Sequence, residues 1–313
     1  MSMPDAELIV DRRRLKRRVT FWRIAAVLLA ALGLGSLLWT PGGLAKFETH
    51  IARVHIDGLI TGDQKTLDLI EQISKSAMVK AVILRIDSPG GTTAGSEALY
   101  EAIRKMARGK PVVAVMDTVA ASGGYIVALA ADHIVARGNT LTGSIGVIFS
   151  FPEVSKLLDT IGVKMEEIKS GELKAEPSPY KPVSPKAREV SNEMVQDSFA
   201  WFMGLVAERR KLTPERVRVL ADGRVYTGRQ AAQVQLVDEI GGEDKAVAWL
   251  QREKQIAPET KVVDWELSTN TDLSGLGFSI ANGVLKAVGL SGLRQAAEIA
   301  KLDGMLVLWH PAF

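Results

Sequence analysis

The sequence predicts an α/β protein in which a mostly parallel sheet is covered by helices and preceded by one apolar helix long enough to cross a membrane. Three observations carry this. Short β-rich runs alternate with helical segments between residues 54 and 136, Gly-rich turns follow two of those runs, and a twenty-residue apolar stretch stands apart near the N-terminus.

The apolar stretch comes first in the chain. Phe21–Thr40 reads FWRIAAVLLAALGLGSLLWT and is charged only at Arg23, which lies close enough to one end to snorkel. Twenty helical residues at about 1.5 Å each cover roughly 30 Å, the thickness of a bilayer core. Trp22 and Trp39 stand at its ends, and the basic cluster Arg12–Arg18 precedes it, which predicts a cytoplasmic N-terminus. A cleaved signal peptide has only a weak small-x-small site at Gly43-Leu44-Ala45, so an uncut single-pass anchor is the expectation. Residues 1–20 are then a cytoplasmic basic segment, 21–40 the transmembrane anchor, 41–49 a linker, 50–255 the folded domain outside the cytoplasm, and 256–313 a C-terminal extension and candidate oligomer contact.

Charge follows the same division. Residues 1–40 carry a net +4 of the chain's +3, leaving the other 273 residues at −1. A near-neutral body lacks the basic footprint of a nucleic-acid binder. With 47% hydrophobic and 24% charged residues, disorder and collagen are excluded. The absence of cysteine excludes disulfides, a thiolate nucleophile and a sulfur-bound zinc or iron–sulfur cluster.

In the folded part, Val54-His55-Ile56, Lys80–Asp87, Pro111–Met116 and His133–Ala136 read as strands, with helices near 64–77, 93–108 and 122–131 between them. Such alternation implies parallel strands joined by right-handed crossovers. After Ile145–Ile148 the pattern is mainly helical, with segments at 185–211, 214–221, 228–235 and 243–254, and Pro177–Pro185 reads as an exposed loop.

Chemistry points to the Gly-rich turns. Asp87-Ser88-Pro89-Gly90-Gly91 ends a strand and opens a helix, so its backbone N–H groups suit an oxyanion better than a phosphate, the P-loop lysine being missing. Ala121-Ser122-Gly123-Gly124-Tyr125 follows the next strand, where Ser122 is either a helix N-cap or a nucleophile. Consecutive parallel strands bring their C-terminal ends to one edge, which places the two turns together. The four histidines, His50, His55, His133 and His310, lie off these loops, so a lysine with a depressed pKa becomes the candidate base. Lys169 and Lys174 both qualify, and their spacing does not choose between them.

Five segments in order, Asp-Ser-Pro-Gly-Gly at 87–91, Ala-Ser-Gly-Gly-Tyr at 121–125, Thr-Gly-Ser-Ile-Gly-Val at 142–147, Ser-Gly-x-x-Lys at 170–174 and Gly-Arg-Val-Tyr-Thr-Gly at 223–228, resemble the bacterial signal peptide peptidase A, or protease IV, family. The resemblance spans roughly residues 50–255. It implies a Clp/crotonase-like fold and a Ser/Lys-dyad serine endopeptidase, anchored in the inner membrane, that degrades signal peptides left there after secretion. Ser122 matches the family nucleophile, Lys174 its general base and Ser144 the residue that orients the lysine. Gly91 and Gly123 would form the oxyanion hole. The short, single-domain form implies a homo-oligomeric ring acting on apolar peptides, with no cofactor and no metal. Two alternatives remain from other classes: a crotonase-type acyl-CoA hydratase or isomerase using Glu97 and Glu101, and a non-catalytic membrane scaffold.

Overall fold

The structure, a computed structural model, describes residues 18–28, 48–266 and 306–308. In chain order the elements are α1 (18–28), β1 (His50–Ile60), α2 (Gln64–Lys75), β2 (Val79–Thr92), α3 (Thr93–Ala107), β3 (Val112–Ala121), α4 (Gly123–Leu129), β4 (His133–Ala136), β5 (Leu141–Gly143), α5 (Ser155–Thr160), α6 (Pro185–Arg210), α7 (Pro214–Leu220), β6 (Val225–Thr227), α8 (Gly228–Gln233), β7 (Glu239–Ile240), α9 (Glu243–Lys254), β8 (Lys261–Asp264) and β9 (Leu306–Leu308). All but β4, β7 and β9 of the strands lie on one path, β6-β5-β3-β2-β1-β8.

The centre of the sheet is parallel, as its sequence requires. Ala81, Val82, Ile83, Leu84 and Ile86 of β2 are all fully buried, so both faces of the strand are covered. The period of two sorts them. Val82, Leu84 and Ile86 pack with Ile70 and Ile73 of α2, Leu99 and Ile103 of α3, Ile126 of α4 and Phe202 of α6. Ala81 and Ile83 join Val113, Val115 and Val135 against Ala246 and Leu250 of α9 on the other side. Truncating one such residue, Ile83→Ala for example, costs about 2–5 kcal/mol.

The helices begin where their caps dictate. Asp63 accepts the Thr66 N–H at the start of α2, Ser184 accepts the Ala187 N–H before Pro185 in α6, and Thr227 with Gln230 closes a capping box on α8.

The sheet is mostly parallel, as expected, with β5–β6 and β2–β9 as its antiparallel pairs. One expectation needs correction: among the described residues no helix is long and apolar enough to cross a membrane. Of the expected span 21–40, residues 21–28 are helical in α1, and residues 29–40 lie outside the described residues. The transmembrane anchor, the lipid-bilayer partner and the single-pass inner-membrane topology, each read from hydropathy and flanking charge, are therefore overturned as predictions. His310 and most of the expected C-terminal extension also lie outside the described residues, but Lys261–Asp264 of that extension form β8, in register with His50–Arg53 of β1.

Candidate active site

The two Gly-rich turns meet. β2 and β3 run in register from Val82↔Val112 to Ile86↔Met116 and, after a shift in register, pair again at Ser88↔Ala120, and Asp87 Oδ1 accepts the Val119 N–H at 3.0 Å where the strands end. Ser88, wholly buried, accepts the Gly90 N–H on its hydroxyl at 3.1 Å and so shapes the first turn. Backbone then packs on backbone. A Cβ on Gly124 would stand 2.6 Å from the Ser88 carbonyl oxygen, and one on Gly91 only 1.9 Å from that of Ile60. Neither approach leaves room for a side chain.

Ser122 sits at the junction of β3 and α4 with φ 55 and ψ −114, a conformation that costs a non-glycine residue on the order of 1–3 kcal/mol. Its neighbours hold it there: the Ser122 N–H donates to the Gly143 carbonyl at 2.8 Å, and its own carbonyl accepts the Ile126 N–H at 3.0 Å. The residue is 1% exposed. Its hydroxyl makes no cap bond to α4 and has no hydrogen-bond partner among the described residues. The N-cap explanation of this serine is thereby excluded. What stands instead is a strained strand-to-helix turn presenting a buried, unengaged hydroxyl at the start of a helix.

Gly143 and Ser144 form the wall beside it. Both have positive φ, 78 and 49, and Ser144 is buried. This wall, part of the third sequence motif, is braced by the fifth, whose role the sequence did not reveal. β6 pairs antiparallel with β5, Arg224 accepts the Ser144 N–H on its carbonyl at 2.8 Å, and Tyr226 lies against Gly143 so closely that a Cβ there would come within 2.6 Å of its ring. Tyr226 is fixed in turn by donating to the Leu220 carbonyl at 3.1 Å. Tyr125 anchors α4 likewise, donating to the Leu236 carbonyl at 2.8 Å. A glycine-aromatic-glycine pattern gives no sign of which turn it braces until the strands are paired.

The two lysines separate. The Lys169 ammonium lies 2.8 Å from Glu167 and 2.9 Å from Glu176, and these carboxylates hold its pKa well above the ordinary lysine range. Lys181 and Lys169 together push Glu176 down to about 2. Lys169 is a locked cation, unfit to accept a proton. Lys174 is exposed in the turn that follows Gly171, whose carbonyl accepts the Lys174 N–H at 3.1 Å, and it makes no side-chain ion pair among the described residues. The structure does not bring Lys174 into hydrogen-bond contact with Ser122.

The remaining candidates are placed elsewhere. His50 accepts the Trp265 indole N–H at 2.9 Å, His55 lies 3.5 Å from Asp264, and His133 stacks on Trp249 with ring centroids 4.8 Å apart. Glu97 and Glu101 are exposed on α3, on the solvent side of the helix rather than in a site. A cavity of about 330 Å³ opens at the C-terminal end of β1, lined by Ile60, Leu67, Leu99 and Trp265, two strands away from the turn at Ser122.

Comparison with known proteins bears on this constellation. Residues 104–257, which include Ser122, Ser144 and Lys174, match the model of peptidase family S49. A candidate protease of Methanocaldococcus jannaschii is 32% identical over 237 residues, covering 74% of this chain and 76% of its own. The chloroplastic serine protease SPPA of Arabidopsis thaliana is 36% identical over 257 residues, covering 78% of this chain and 37% of its own. Protease 4 of Salmonella typhi is 37% identical over 212 residues, covering 67% and 33%. These relationships carry protease activity, whereas the expected membrane-anchored clearance of signal peptides is overturned with the anchor on which it rested. The chain belongs to peptidase family S49, the protease IV family, and is a serine protease.

Proposed function

We propose that Ser122 is the nucleophile of an endopeptidase that cleaves extended peptides, with Lys174 as general base. One observation carries the reading: a serine 1% exposed, held at φ 55, whose hydroxyl serves no structural bond. Strain of this kind persists only where surrounding structure enforces it, and here two backbone hydrogen bonds, to Gly143 and from Ile126, do.

The chemistry follows from the neighbours. A neutral Lys174 amine takes the Ser122 hydroxyl proton as the oxygen attacks the scissile carbonyl carbon. The resulting oxyanion is met by the N–H groups of Gly91 and Gly123. The lysine ammonium returns the proton to the leaving amine as the C–N bond breaks, and water then hydrolyses the acyl-enzyme by the same route. Ser144, buried beside Ser122, orients the amine. For this dyad to form, Lys174 must be brought to Ser122 by a rearrangement of the segment that carries it or by a second copy of the chain. Residues 50–255 are proposed as the catalytic unit.

The test is hydrolysis of a blocked apolar peptide by Ser122→Ala and Lys174→Met. Loss of turnover in both, with the fold retained by circular dichroism, supports the dyad. Normal turnover in Lys174→Met overturns the base, and normal turnover in Ser122→Ala overturns the whole reading.

A further inference from the structure

Ser122 owes its place to Gly143, and Gly143 ends a strand too short to place itself. β5 has three residues, Leu141–Gly143. On one side it runs parallel to β3, with Ala120↔Thr142 and Ala121↔Gly143, and the Thr142 hydroxyl donates to the Ala120 carbonyl at 2.7 Å. After Gly143 the chain turns away through two positive φ values, 78 at Gly143 and 49 at Ser144. The carbonyl that receives the Ser122 N–H at 2.8 Å therefore belongs to the last paired residue of the strand.

Tyr226 closes the other side. It pairs with Thr142 across β5 and β6, and its ring lies over Gly143, where a Cβ would come within 2.6 Å of one ring carbon and 3.2 Å of the next. At the far end of the same side chain the hydroxyl donates at 3.1 Å to the Leu220 carbonyl, an end-of-helix acceptor at the last residue of α7. Burial raises the pKa of this phenol and keeps it an O–H donor. α7 is itself fixed in the core through Val217 and Leu220. The tyrosine is thus a stiff rod between α7 and Gly143, with a flat face on one and a hydrogen bond to the other. The rest of the segment Gly-Arg-Val-Tyr-Thr-Gly at 223–228 serves the same bracket. Gly223 turns with φ 85, the Arg224 carbonyl takes the Ser144 N–H, Thr227 caps α8, and Gly228 leaves no room for a side chain against the Arg137 carbonyl.

We propose that Tyr226 is a positioning residue for the nucleophile: its ring, anchored on α7 through its hydroxyl, sets the place of the Gly143 carbonyl and, through the Ser122 N–H, holds the strained turn that aims the Ser122 hydroxyl. The proposal rests on the assignment of Ser122 above. It gives the fifth sequence motif a task in the reaction although none of its side chains touches the reacting atoms. A residue that only aims the attacking oxygen changes kcat and leaves KM unchanged.

The experiment compares Tyr226→Met, Tyr226→Phe and Ile83→Ala with the parent chain. Methionine fills the same space without a flat face, a fixed length or a hydroxyl donor, so it keeps the core and removes the rod. Phenylalanine keeps the ring. Ile83→Ala loosens the core on the opposite side of the sheet, against α9, and controls for general destabilisation. Expected for Tyr226→Met are a kcat at least about tenfold lower, a KM within about twofold, labelling of Ser122 by a serine-reactive phosphonate slowed by the same factor, and faster hydrogen exchange at the amide of residue 122. Tyr226→Phe should recover kcat to within about threefold of the parent, and Ile83→Ala to within about twofold. Parent-like kcat and exchange in Tyr226→Met would overturn the proposal. So would a phenylalanine variant as slow as the methionine one, or an Ile83→Ala chain that loses as much kcat. Should Tyr226→Met not fold, Tyr226→Phe is read alone, where exchange at residue 122 at least about twofold faster supports the proposal and parent-like exchange overturns it. Exchange is also measured with Ser122→Ala in the background, so the bracket is read apart from catalysis; hydrolysis persisting in Ser122→Ala would sink the nucleophile and leave the exchange result standing.

Discussion

The turn that carries Ser122 and the turn that carries Lys174 are built by different means. Around Ser122, position is fixed by backbone touching backbone: Gly124 on Ser88, Gly91 on Ile60, and the Ser122 N–H on Gly143. Around Lys174 there is one backbone bond to Gly171 and, flanking the turn, a cluster of charges in which Glu167 and Glu176 hold Lys169 and Lys181. The difference matches the two tasks proposed for these residues. An attacking oxygen and its oxyanion donors must be fixed before the substrate arrives, because reorganisation during reaction is what preorganisation avoids. A lysine in water is protonated near neutral pH and must be desolvated to act as a base, which the exposed turn does not do by itself.

The largest effect should come from breaking the rigid side at its reacting atom. Ser122→Ala is expected to lower kcat/KM by at least about 10³-fold without loss of fold, because the backbone that strains the residue is unchanged. Lys174→Met should approach the same loss, whereas Lys169→Met should keep kcat within about threefold, since its ammonium is already committed to carboxylates. Parallel steady-state assays of the three variants give the comparison directly.

One substitution made in both turns sharpens the contrast in stability. Gly124→Ala forces a Cβ to within 2.6 Å of the Ser88 carbonyl oxygen and should destabilise by more than about 2 kcal/mol in urea unfolding. Gly171→Ala meets nothing within 4 Å and should stay within about 0.5 kcal/mol of the parent. Equal costs would contradict the division between a packed turn and an open one.

How much of this was legible beforehand varies with the kind of force involved. The strands and helices through His133–Ala136, and the meeting of the two Gly-rich turns, follow from hydrophobic period and parallel topology, which are local signals. Whether Ser122 caps α4 was not legible, because both roles place a serine at a helix start; only φ 55 and the unbonded hydroxyl separate them. The choice between Lys169 and Lys174 turned on Glu167 and Glu176, which face Lys169 only once the loop has folded back. β8 was missed because four residues carry too little periodicity to stand out, and β9 because nothing in Leu306–Leu308 names Gly90–Thr92 as its partner. The hydrophobic run at 21–40 shows the opposite error: composition and length predict a span, and among the described residues no helix is long and apolar enough to cross a membrane.

A smaller effect is expected at Ser144. Ser144→Ala should slow turnover about three- to tenfold if its hydroxyl orients the lysine, from the loss of one hydrogen bond of about 0.5–1.5 kcal/mol. An unchanged rate from pH 6 to 10 would leave it a turn residue.

The smallest effect concerns the charge cluster. Glu176 is held at about 2, below its ordinary 4.5, first by Lys181 and then by Lys169, so the stability it contributes is present above pH 4.5 and lost as pH falls toward 2. Lys169, raised by Glu167 and then by Glu176, contributes stability that persists below its ordinary 10.5 and is lost only at higher pH. Between these limits neither Glu176 nor Lys169 titrates. The melting-temperature difference between the parent and Glu176→Gln should therefore be constant from about pH 5 to 9 and shrink in acid.

The central claim, that the strained and buried hydroxyl at the end of β3 is the nucleophile, is tested most directly by covalent labelling with a serine-reactive phosphonate followed by peptide mass mapping. The account predicts a single adduct on Ser122, absent in Ser122→Ala and formed much more slowly in Lys174→Met. An adduct on another serine, or undiminished labelling of Ser122→Ala, would contradict it.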